Sequence, residues 1–340
     1  YLVNIQIGTN SQVFGIIAKN NTDQGVSVAL AKIGFIGMGL MGIPMSCRLL
    51  AAGYPVTVWN RNPEKTQQPV EQGAQKATSI EDLCEKSDVI MLCVSDTQAV
   101  KDIVLAENGI LESLEFDNEV RKIIIDFSSI DPEATRQLAL QVEKKSAHWL
   151  DTPVSGGVAG AEQGTLAIMA GGDEAILDSV RPILEPLSQR ITRMGDVGAG
   201  QVTKICNQMI VSCNVLVMAE VMALAEKSGV NSGQIPQALQ GGFADSTPLQ
   251  LTGPRMAERD YEPVKWHVKT LLKDLDMANG LAQDNASAIP MAGLGAELMR
   301  MHARKGFNDS APATFIEMYL SSQNTVNKQD STEAEKEFKS

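Results

Sequence analysis

The sequence predicts an α/β fold, with a Rossmann-type doubly wound sheet domain followed by an all-α domain built on one long interdomain helix. The pattern begins at Lys32 with a short apolar run, which is followed by a glycine-rich turn and then by a helical segment. Short apolar runs then alternate with helical segments, which is typical of a parallel sheet with crossover helices. Near Gly195 the alternation stops, and a helical segment of about 28 residues starts at Gln201.

These changes of pattern divide the chain into four predicted parts. Residues 1–31 form an N-terminal extension to which no role is assigned, and residues 32–194 form a dinucleotide-binding domain. Residues 195–321 form the helical domain, with further helices predicted at 233–240, 246–259, 264–284, 290–303 and 311–320. Residues 322–340, rich in Gln, Asn, Ser, Lys and Glu, are predicted to be a disordered tail.

The stretch from Lys32 to Asn62 reads as strand, tight turn, helix and strand. The turn fits G-x-G-x-x-G, and this strand-to-helix context is the one in which that motif binds a dinucleotide. The first glycine permits the sharp turn, the second lets backbone N–H groups approach a pyrophosphate, and the third lets the helix pack on the strand. The predicted cofactor-binding turn consists of Gly37, Met38, Gly39, Leu40, Met41 and Gly42.

The end of the second strand indicates which dinucleotide is preferred. Enzymes that use NAD usually carry an acidic residue there, which binds the ribose 2′-hydroxyl. This chain has Asn60 and Arg61 instead. A guanidinium pairs well with a 2′-phosphate, so the sequence favours NADPH over NADH.

Further polar residues follow the later strands of the predicted sheet. Ligands of such sheets lie beyond the carboxyl ends of the strands, so Val94 and Ser95 should border the cofactor. Ser128 and Ser129 follow the next strand, near the expected nicotinamide position, although one of them could equally cap the following helix. Substrate binding is predicted at Ser155, Gly156 and Gly157, where adjacent backbone N–H groups could hold a carboxylate.

The start of the long helix carries the predicted catalytic group. Lys204, Asn207 and Gln208 are spaced three and four residues apart and therefore share one helix face. A partly buried lysine near a positive helix end should have a lowered pKa and could protonate a carbonyl oxygen, while the amides orient the substrate. Lys273, which interrupts an apolar helical stretch, could reach the cofactor or substrate, or could simply pair with Asp276.

Composition excludes several other classes of function. The 340 residues are 44% apolar and carry a net charge of −12, which argues against nucleic-acid binding. The five cysteines form no C-x-x-C pair, as expected for a cytoplasmic protein without disulfides or zinc. The three histidines lack metal-ligand spacing, so no metal is expected. No apolar run is expected to be long enough to span a membrane.

Four motifs in order resemble the β-hydroxyacid dehydrogenases, which include 3-hydroxyisobutyrate dehydrogenase and 2-hydroxy-3-oxopropionate (tartronate semialdehyde) reductase. They are Gly37-x-Gly-x-x-Gly42, Asp151-Thr-Pro-Val-Ser-Gly-Gly157, Gly198-x-Gly-x-x-x-Lys204 and Lys273-Asp-Leu275. The resemblance covers about residues 32–320 and implies an oxidoreductase that acts on short hydroxy acids. It also implies that Lys204 is the catalytic acid/base and that Ser155 to Gly157 bind substrate.

The resemblance further implies that Ser129 and Lys273 border the nicotinamide, and that the helical domain forms a homodimer or homotetramer through the long helix. Gln208 in Lys204-Ile-Cys-Asn-Gln208 resembles the tartronate semialdehyde reductases, whereas the 3-hydroxyisobutyrate enzymes typically carry a second asparagine. The activities left open are 3-hydroxyisobutyrate dehydrogenase, succinic semialdehyde reductase and a cofactor-binding module without chemistry. An imine reductase is disfavoured because those enzymes usually replace the lysine.

Overall fold

A computed structural model describes residues 30–114 and 121–320. The predicted tail, and the predicted extension apart from Leu30 and Ala31, lie outside the described residues. The chain divides into two compact units, residues 1–204 and 205–340. The division falls inside the long helix, somewhat after the boundary that the sequence pattern suggested near Gly195.

Within the described residues, the first unit contains one sheet of nine strands, in the order β3-β2-β1-β4-β5-β6-β8-β7, with β9 beside β8. The strands are β1 (Ile33–Ile36), β2 (Val56–Trp59), β3 (Gln75–Lys76), β4 (Val89–Leu92), β5 (Ile123–Asp126), β6 (His148–Asp151), β7 (Val154–Ser155), β8 (Leu166–Gly171) and β9 (Ser188–Gly195).

The first six strands run parallel to one another. The last residues of all of them except β3 pair with the last residues of their neighbours. Ile36 pairs with Trp59 on one side and Leu92 on the other, and Asp126 pairs with Asp151. Strand β8 is antiparallel to both β6 and β7 and parallel to β9. The register places the carboxyl ends of β1, β2, β4, β5 and β6 at one edge, where parallel sheets bind their ligands.

Two hydrophobic cores cover the two faces of this sheet, as the prediction of a doubly wound domain requires. Alternate strand residues point to opposite sides, so Phe35 and Met91 enter one core while Ile36 and Leu92 enter the other. The helices are α1 (Gly42–Ala51), α2 (Gln67–Glu71), α3 (Ile80–Glu85), α4 (Thr97–Leu105), α5 (Pro132–Glu143), α6 (Gly157–Gln163) and α7 (Glu174–Leu184).

The described part of the second unit contains helices and no strand, as predicted, although most segments are shorter than the sequence pattern suggested. They are α8 (Ala199–Lys227), which starts in the first unit, α9 (Ile235–Leu239), α10 (Thr247–Glu258), α11 (Val268–Asp284) and α12 (Pro290–His302). The last predicted helix is instead a 3₁₀ helix, Pro312–Met318. A core that includes Met222, Leu275 and Phe315 holds these elements together.

Helix α8 corrects one expectation from the sequence. Its length of 29 residues and its mean window hydropathy of 1.7 would be enough for a membrane span, contrary to the prediction that no such run exists. However, 39% of that window is buried within the protein, and core helices of globular proteins have the same length and composition.

Candidate active site

The glycine-rich turn has the shape that a pyrophosphate site requires. Gly37 ends β1 with a φ of +103°, and a Cβ atom there would lie 2.2 Å from the carbonyl oxygen of Cys93. Gly39 differs, because an added Cβ would meet no atom within 4 Å. Gly39 and Leu40 are exposed, whereas Met38 is buried and Met41 is partly buried. The exposed backbone therefore lies at the middle of the turn, next to the start of α1 at Gly42.

Asn60 at the end of β2 supports the turn from the neighbouring strand. Its Oδ1 atom accepts a hydrogen bond of 2.9 Å from the backbone N–H of Met38, and its Nδ2 atom donates to the carbonyl oxygen of Asn62. Asn60 therefore fixes the turn, and the Met38 N–H is engaged within the protein. Arg61 is exposed directly after it, at the place where a 2′-phosphate is expected.

The ends of β4 and β5 are joined by a serine. The backbone N–H of Val94 donates to the Ser128 Oγ atom at 3.0 Å, and the Val94 side chain lies against Gly37. Ser128 is buried, whereas Ser129 is half-buried and Ser95 is exposed. The alternative role considered for one serine, capping the following helix, belongs to Asp131, which accepts from the Ala134 N–H.

The predicted carboxylate site lies where β7 passes into α6. Ser155 is half-buried at the end of β7, and Gly156 and Gly157 are exposed with φ values of +135° and +62°. Gly156 occupies the N-cap position of α6 and has no side chain to bond the first-turn N–H groups. Exposed backbone N–H groups next to a serine hydroxyl can hold a carboxylate.

Lys204 is half-buried in the second turn of α8, and the beginning of that helix is fixed by strand β6. The two carboxylate oxygens of Asp151 accept hydrogen bonds from the backbone N–H groups of Gly198, at 2.7 Å, and Gln201, at 2.9 Å. Asp151 thus caps α8 from a distant part of the chain. A cap of this kind typically stabilises a helix by about 0.5–2 kcal/mol.

The second unit places three of the predicted site residues around one buried carboxylate. Asn207 donates to Gln208 at 2.9 Å, and Gln208 donates to Asp274. Lys273 forms an ion pair with the same carboxylate, with 3.3 Å between Lys273 Nζ and Asp274 Oδ1. Only 3% of the Asp274 side chain is exposed, so this carboxylate determines the orientation of Gln208 and Lys273.

The last residues of β5 and β6 are buried aspartates whose pKa values are raised. Burial raises the pKa of the Asp126 carboxyl to about 7, although hydrogen bonds from Ser128 oppose the shift and the nearby Asp151 adds to it. Burial also raises the pKa of Asp151, against the effect of the helix N–H groups that it accepts. The two carboxyl groups lie on neighbouring strands, and the charge of Asp151 further disfavours ionisation of Asp126.

The sequence reasoning missed several residues of this region. Asp274 and Asp151 occur in motifs that the sequence analysis quoted, but neither received a role. Gln201 and Asp126 received none either. The contacts of Asp151 with α8, of Gln201 with Ser128 and Ile130, and of Asp274 with Gln208 join residues far apart in the chain, so spacing could not reveal them. The sequence does contain one signal for Asp126 and Asp151, which end apolar strands. Acidic residues are seldom buried at such positions unless they are hydrogen-bonded.

The residues of the first unit fit a dinucleotide. The open space above Gly39, the turn held by Asn60 and the helix that begins at Gly42 together leave backbone N–H groups accessible to a pyrophosphate. No group of three or more His, Cys, Asp or Glu side chains within residues 30–114 and 121–320 is placed to hold a metal ion.

Comparison with known proteins agrees with this geometry. Residues 32–195 match the family model for the NAD binding domain of 6-phosphogluconate dehydrogenase. Residues 198–319 match the model described as NAD-binding of NADP-dependent 3-hydroxyisobutyrate dehydrogenase. The 2-hydroxy-3-oxopropionate reductase of Escherichia coli K12 is 38% identical over 275 residues, which cover 81% of this chain and 92% of that protein. The chain belongs to the β-hydroxyacid dehydrogenase family.

Other β-hydroxyacid dehydrogenases are similarly related. The 3-hydroxyisobutyrate dehydrogenase of Pseudomonas aeruginosa is 34% identical over 281 residues, or 81% of this chain and 93% of that one. The structure of Mycobacterium tuberculosis 3-hydroxyisobutyrate dehydrogenase with L-serine has a TM-score of 0.75 at 27% identity, covering 86% and 99% of the two chains. The protein is therefore an oxidoreductase that acts on small hydroxy acids with a nicotinamide cofactor.

Proposed function

We propose that this β-hydroxyacid dehydrogenase is an NADPH-dependent reductase of short 3-oxo acids, with 2-hydroxy-3-oxopropionate as the preferred substrate. The observation that carries the proposed chemistry is the position of Lys204, half-buried near the start of a helix that is fixed to the strand ends. The choice of substrate is supported by Gln208 in the motif and by the 38% identity with a 2-hydroxy-3-oxopropionate reductase.

In the proposed mechanism, the exposed turn at Gly39 and Leu40 holds the pyrophosphate, and Val94, Ser95, Ser129 and Lys273 border the rest of the cofactor. When bound, NADPH supplies the hydride that reduces the aldehyde carbon. The Ser155 hydroxyl and the N–H groups at Gly156 and Gly157 hold the substrate carboxylate, which selects acids over neutral aldehydes.

Lys204 donates its ammonium proton to the oxygen of the aldehyde as that oxygen gains negative charge. Asn207 and Gln208 orient this oxygen or the neighbouring hydroxyl by hydrogen bonds, and Asp274 keeps Gln208 in place. In the reverse direction, the neutral Lys204 amine accepts the hydroxyl proton of the substrate.

The preference for NADPH rests on the end of β2. Arg61 is exposed there and no acidic residue is present to accept the ribose hydroxyls. Lys65 is a second exposed cation, in the short 3₁₀ helix Pro63–Thr66 that follows. Glu64 lies beside Lys65 in the same 3₁₀ helix, so the preference depends mainly on Arg61, which directly follows Asn60 at the end of β2.

The test is a comparison of kcat/KM for 2-hydroxy-3-oxopropionate, methylmalonate semialdehyde and succinic semialdehyde, each with NADPH and with NADH. The proposal expects the highest value for 2-hydroxy-3-oxopropionate with NADPH. A higher value for methylmalonate semialdehyde would indicate a 3-hydroxyisobutyrate dehydrogenase, the activity named for two of the relatives. Absence of turnover with every acid, despite cofactor binding, would indicate a module without chemistry.

We also propose that the enzyme is a homodimer or homotetramer assembled through α8. Four apolar side chains along this helix are exposed: Ile210 by 70%, Val217 by 48%, Val221 by 40% and Leu224 by 66%. They recur at intervals of three, four and seven residues and thus form one stripe. An apolar stripe of this length on a soluble enzyme is typical of a surface covered by a second copy.

A cytoplasmic location remains a prediction from composition.

A further inference from the structure

Three strand ends and the first turn of α8 are joined by a buried polar network within the first unit. Val94 donates to Ser128, Ser128 donates through its backbone N–H to Asp126, and Gln201 donates through its backbone N–H to Asp151. Asp126, Ser128, Asp151 and Gln201 are all at most 2% exposed. The Oδ2 atom of Asp126 is buried without a hydrogen-bond partner, whereas its Oδ1 atom accepts from Ser128. Breaking one of the buried hydrogen bonds leaves a further desolvated polar group, so the network resists local distortion.

The Gln201 side chain connects the two parts of this network. Its Nε2 atom donates to the carbonyl oxygen of Ser128 at 2.8 Å, and its Oε1 atom accepts from the backbone N–H of Ile130 at 3.1 Å. One amide therefore binds both ends of the tripeptide Ser128-Ser129-Ile130. Ser129, the residue expected to border the nicotinamide, lies between the two anchored positions.

The same turn of α8 is packed against the sheet without free space. A Cβ atom on Gly200 would lie 2.4 Å from the carbonyl oxygen of Met169 and 2.7 Å from that of Asp151. Helix α8 can therefore not move toward the sheet, and the Asp151 cap and the Gln201 amide prevent it from moving away. Since Lys204 is three residues after Gln201 on the same helix, these contacts also fix the position of its backbone relative to the sheet.

We propose that Gln201 is a positioning residue of the reductase, a role that rests on the proposed catalytic function of Lys204. Its amide holds the Ser128–Ile130 segment and the first turn of α8 in one register, so that Ser129 and Lys204 keep a fixed separation. A displacement of about 1 Å in such a site can reduce the rate on the order of 100-fold.

Two variants of nearly unchanged shape test this role. Gln201→Leu removes both hydrogen bonds. Gln201→Glu retains an acceptor for the Ile130 N–H, but an ionised carboxylate faces the Ser128 carbonyl oxygen without a proton between them. A protonated carboxyl restores the pattern of the amide, with O–H donating to Ser128 and C=O accepting from Ile130.

The readout is the ratio of the variant's kcat to that of the parent protein at each pH. For Gln201→Glu this ratio should be about 0.01–0.1 at high pH and should rise toward 1 as the pH falls, whereas for Gln201→Leu it should stay low at every pH. The charged groups facing position 201 are Asp126 and Asp151 from the sheet, Lys204 on α8, and Arg136 of α5, whose guanidinium lies beside Gly198. The acidic pair and the burial favour the protonated form at position 201.

The affinity for NADPH should fall much less than kcat in both variants, because the glycine-rich turn and Arg61 are not part of the network, whereas Val94 and Ser129, which border the cofactor, are held by it. Gln75→Glu, an exchange of the same type at an exposed position of β3, is the control and should retain the parent's kcat. A kcat for folded Gln201→Leu equal to that of the parent, or a Gln201→Glu ratio that does not depend on pH, would overturn the proposal.

A second measurement does not depend on turnover. Amide hydrogen exchange of residues 127–131 should be at least about tenfold faster in Gln201→Leu than in the parent, since the Ile130 N–H loses its acceptor. Unchanged exchange would overturn the proposed anchoring. If the parent itself reduces none of the aldehyde acids, the proposed function fails, while the exchange result still decides whether Gln201 holds the segment.

Discussion

A Cβ atom on Gly42 would lie 1.9 Å from the carbonyl oxygen of Gly37, so these two glycines of the turn are in direct contact. Gly42→Ala must therefore displace the turn or α1, and we expect a loss of stability of about 1–3 kcal/mol or more. Thermal unfolding measures this loss.

Gly39→Ala is the matched variant in the same turn, since its methyl group would meet no protein atom. It should leave the unfolding temperature nearly unchanged and weaken NADPH binding about tenfold or more, because the methyl group occupies the space of the pyrophosphate. Fluorescence titration with NADPH measures the affinity. Equal affinities for Gly39→Ala and the parent would place the cofactor elsewhere.

Loss of the Lys204 amine should separate chemistry from binding. We expect Lys204→Ala to lower kcat by about 10²–10⁴ while the Kd for NADPH remains close to that of the parent. Lys76→Ala, at an exposed lysine of β3, is the control. Turnover by Lys204→Ala at the parent's rate would remove Lys204 from the mechanism.

Arg61 and Lys65 should affect the two dinucleotides unequally. Each charge-assisted hydrogen bond to the 2′-phosphate is worth about 1.5–3 kcal/mol, so Arg61→Ala should raise the KM for NADPH about 10- to 100-fold. Lys65→Ala should act in the same direction. The KM for NADH, which lacks this phosphate, serves as the internal control, and a parallel increase for both dinucleotides would contradict the assignment.

Asp126 should make the protein less stable as the pH rises. Its folded-state pKa is about 7, above the ordinary value of 3.8. Between those values the folded protein binds more protons than the unfolded chain, so this group's contribution to stability is full below pH 4 and is lost as the pH approaches 7. The slope is at most about 1.4 kcal/mol per pH unit.

Asp126→Asn keeps an acceptor for the Ser128 N–H and cannot ionise. The free energy of unfolding of the variant, relative to the parent, should therefore increase from pH 4 to pH 7 and then level off. Urea unfolding at several pH values measures it. A constant difference across this range would mean that Asp126 titrates normally.

The apolar stripe on α8 gives a test of assembly. A carboxylate introduced by Ile210→Glu or Leu224→Glu would be buried without a partner if a second copy covers the stripe, which is unfavourable by several kcal/mol. We expect these variants to be monomeric by light scattering at concentrations where the parent is a dimer or tetramer. Leu140→Glu, at a leucine of α5 that is 58% exposed, is the control. A monomeric parent would refute the proposed interface.

The sequence predicted the elements whose signal is local. Apolar runs such as Ile123–Asp126 became buried strands, and the helical periodicity after Gln201 became α8. The two-residue strands β3 and β7 were missed, because so few residues show no periodicity. The stretch 311–320 carries a helical pattern but contains the 3₁₀ helix Pro312–Met318, in which packing of Phe315 and Ile316 into the core prevails over propensity.

For the site, sequence motifs indicated which residues matter but not how they are held. Lys204 and Gln208 were predicted from their spacing, whereas their supports, Asp151 and Asp274, depend on contacts between distant segments. Asn60 was predicted to bind the cofactor, which stays a prediction, and nothing in the sequence indicated that its side chain also accepts from the Met38 N–H. Such hydrogen bonds follow from the register of neighbouring strands, which a single sequence does not specify.

The Asp151 cap has a consequence for the autonomy of α8. Two N–H groups at its beginning, those of Gly198 and Gln201, are accepted by Asp151 of β6, and the Ala199 N–H between them bonds the carbonyl oxygen of Asp196. A synthetic peptide covering Gly195–Lys227 should therefore fray at its beginning, and transplanting this segment into another scaffold would not carry the lysine's placement with it. The position of Lys204 therefore depends on strand β6 as well as on the sequence of α8 itself.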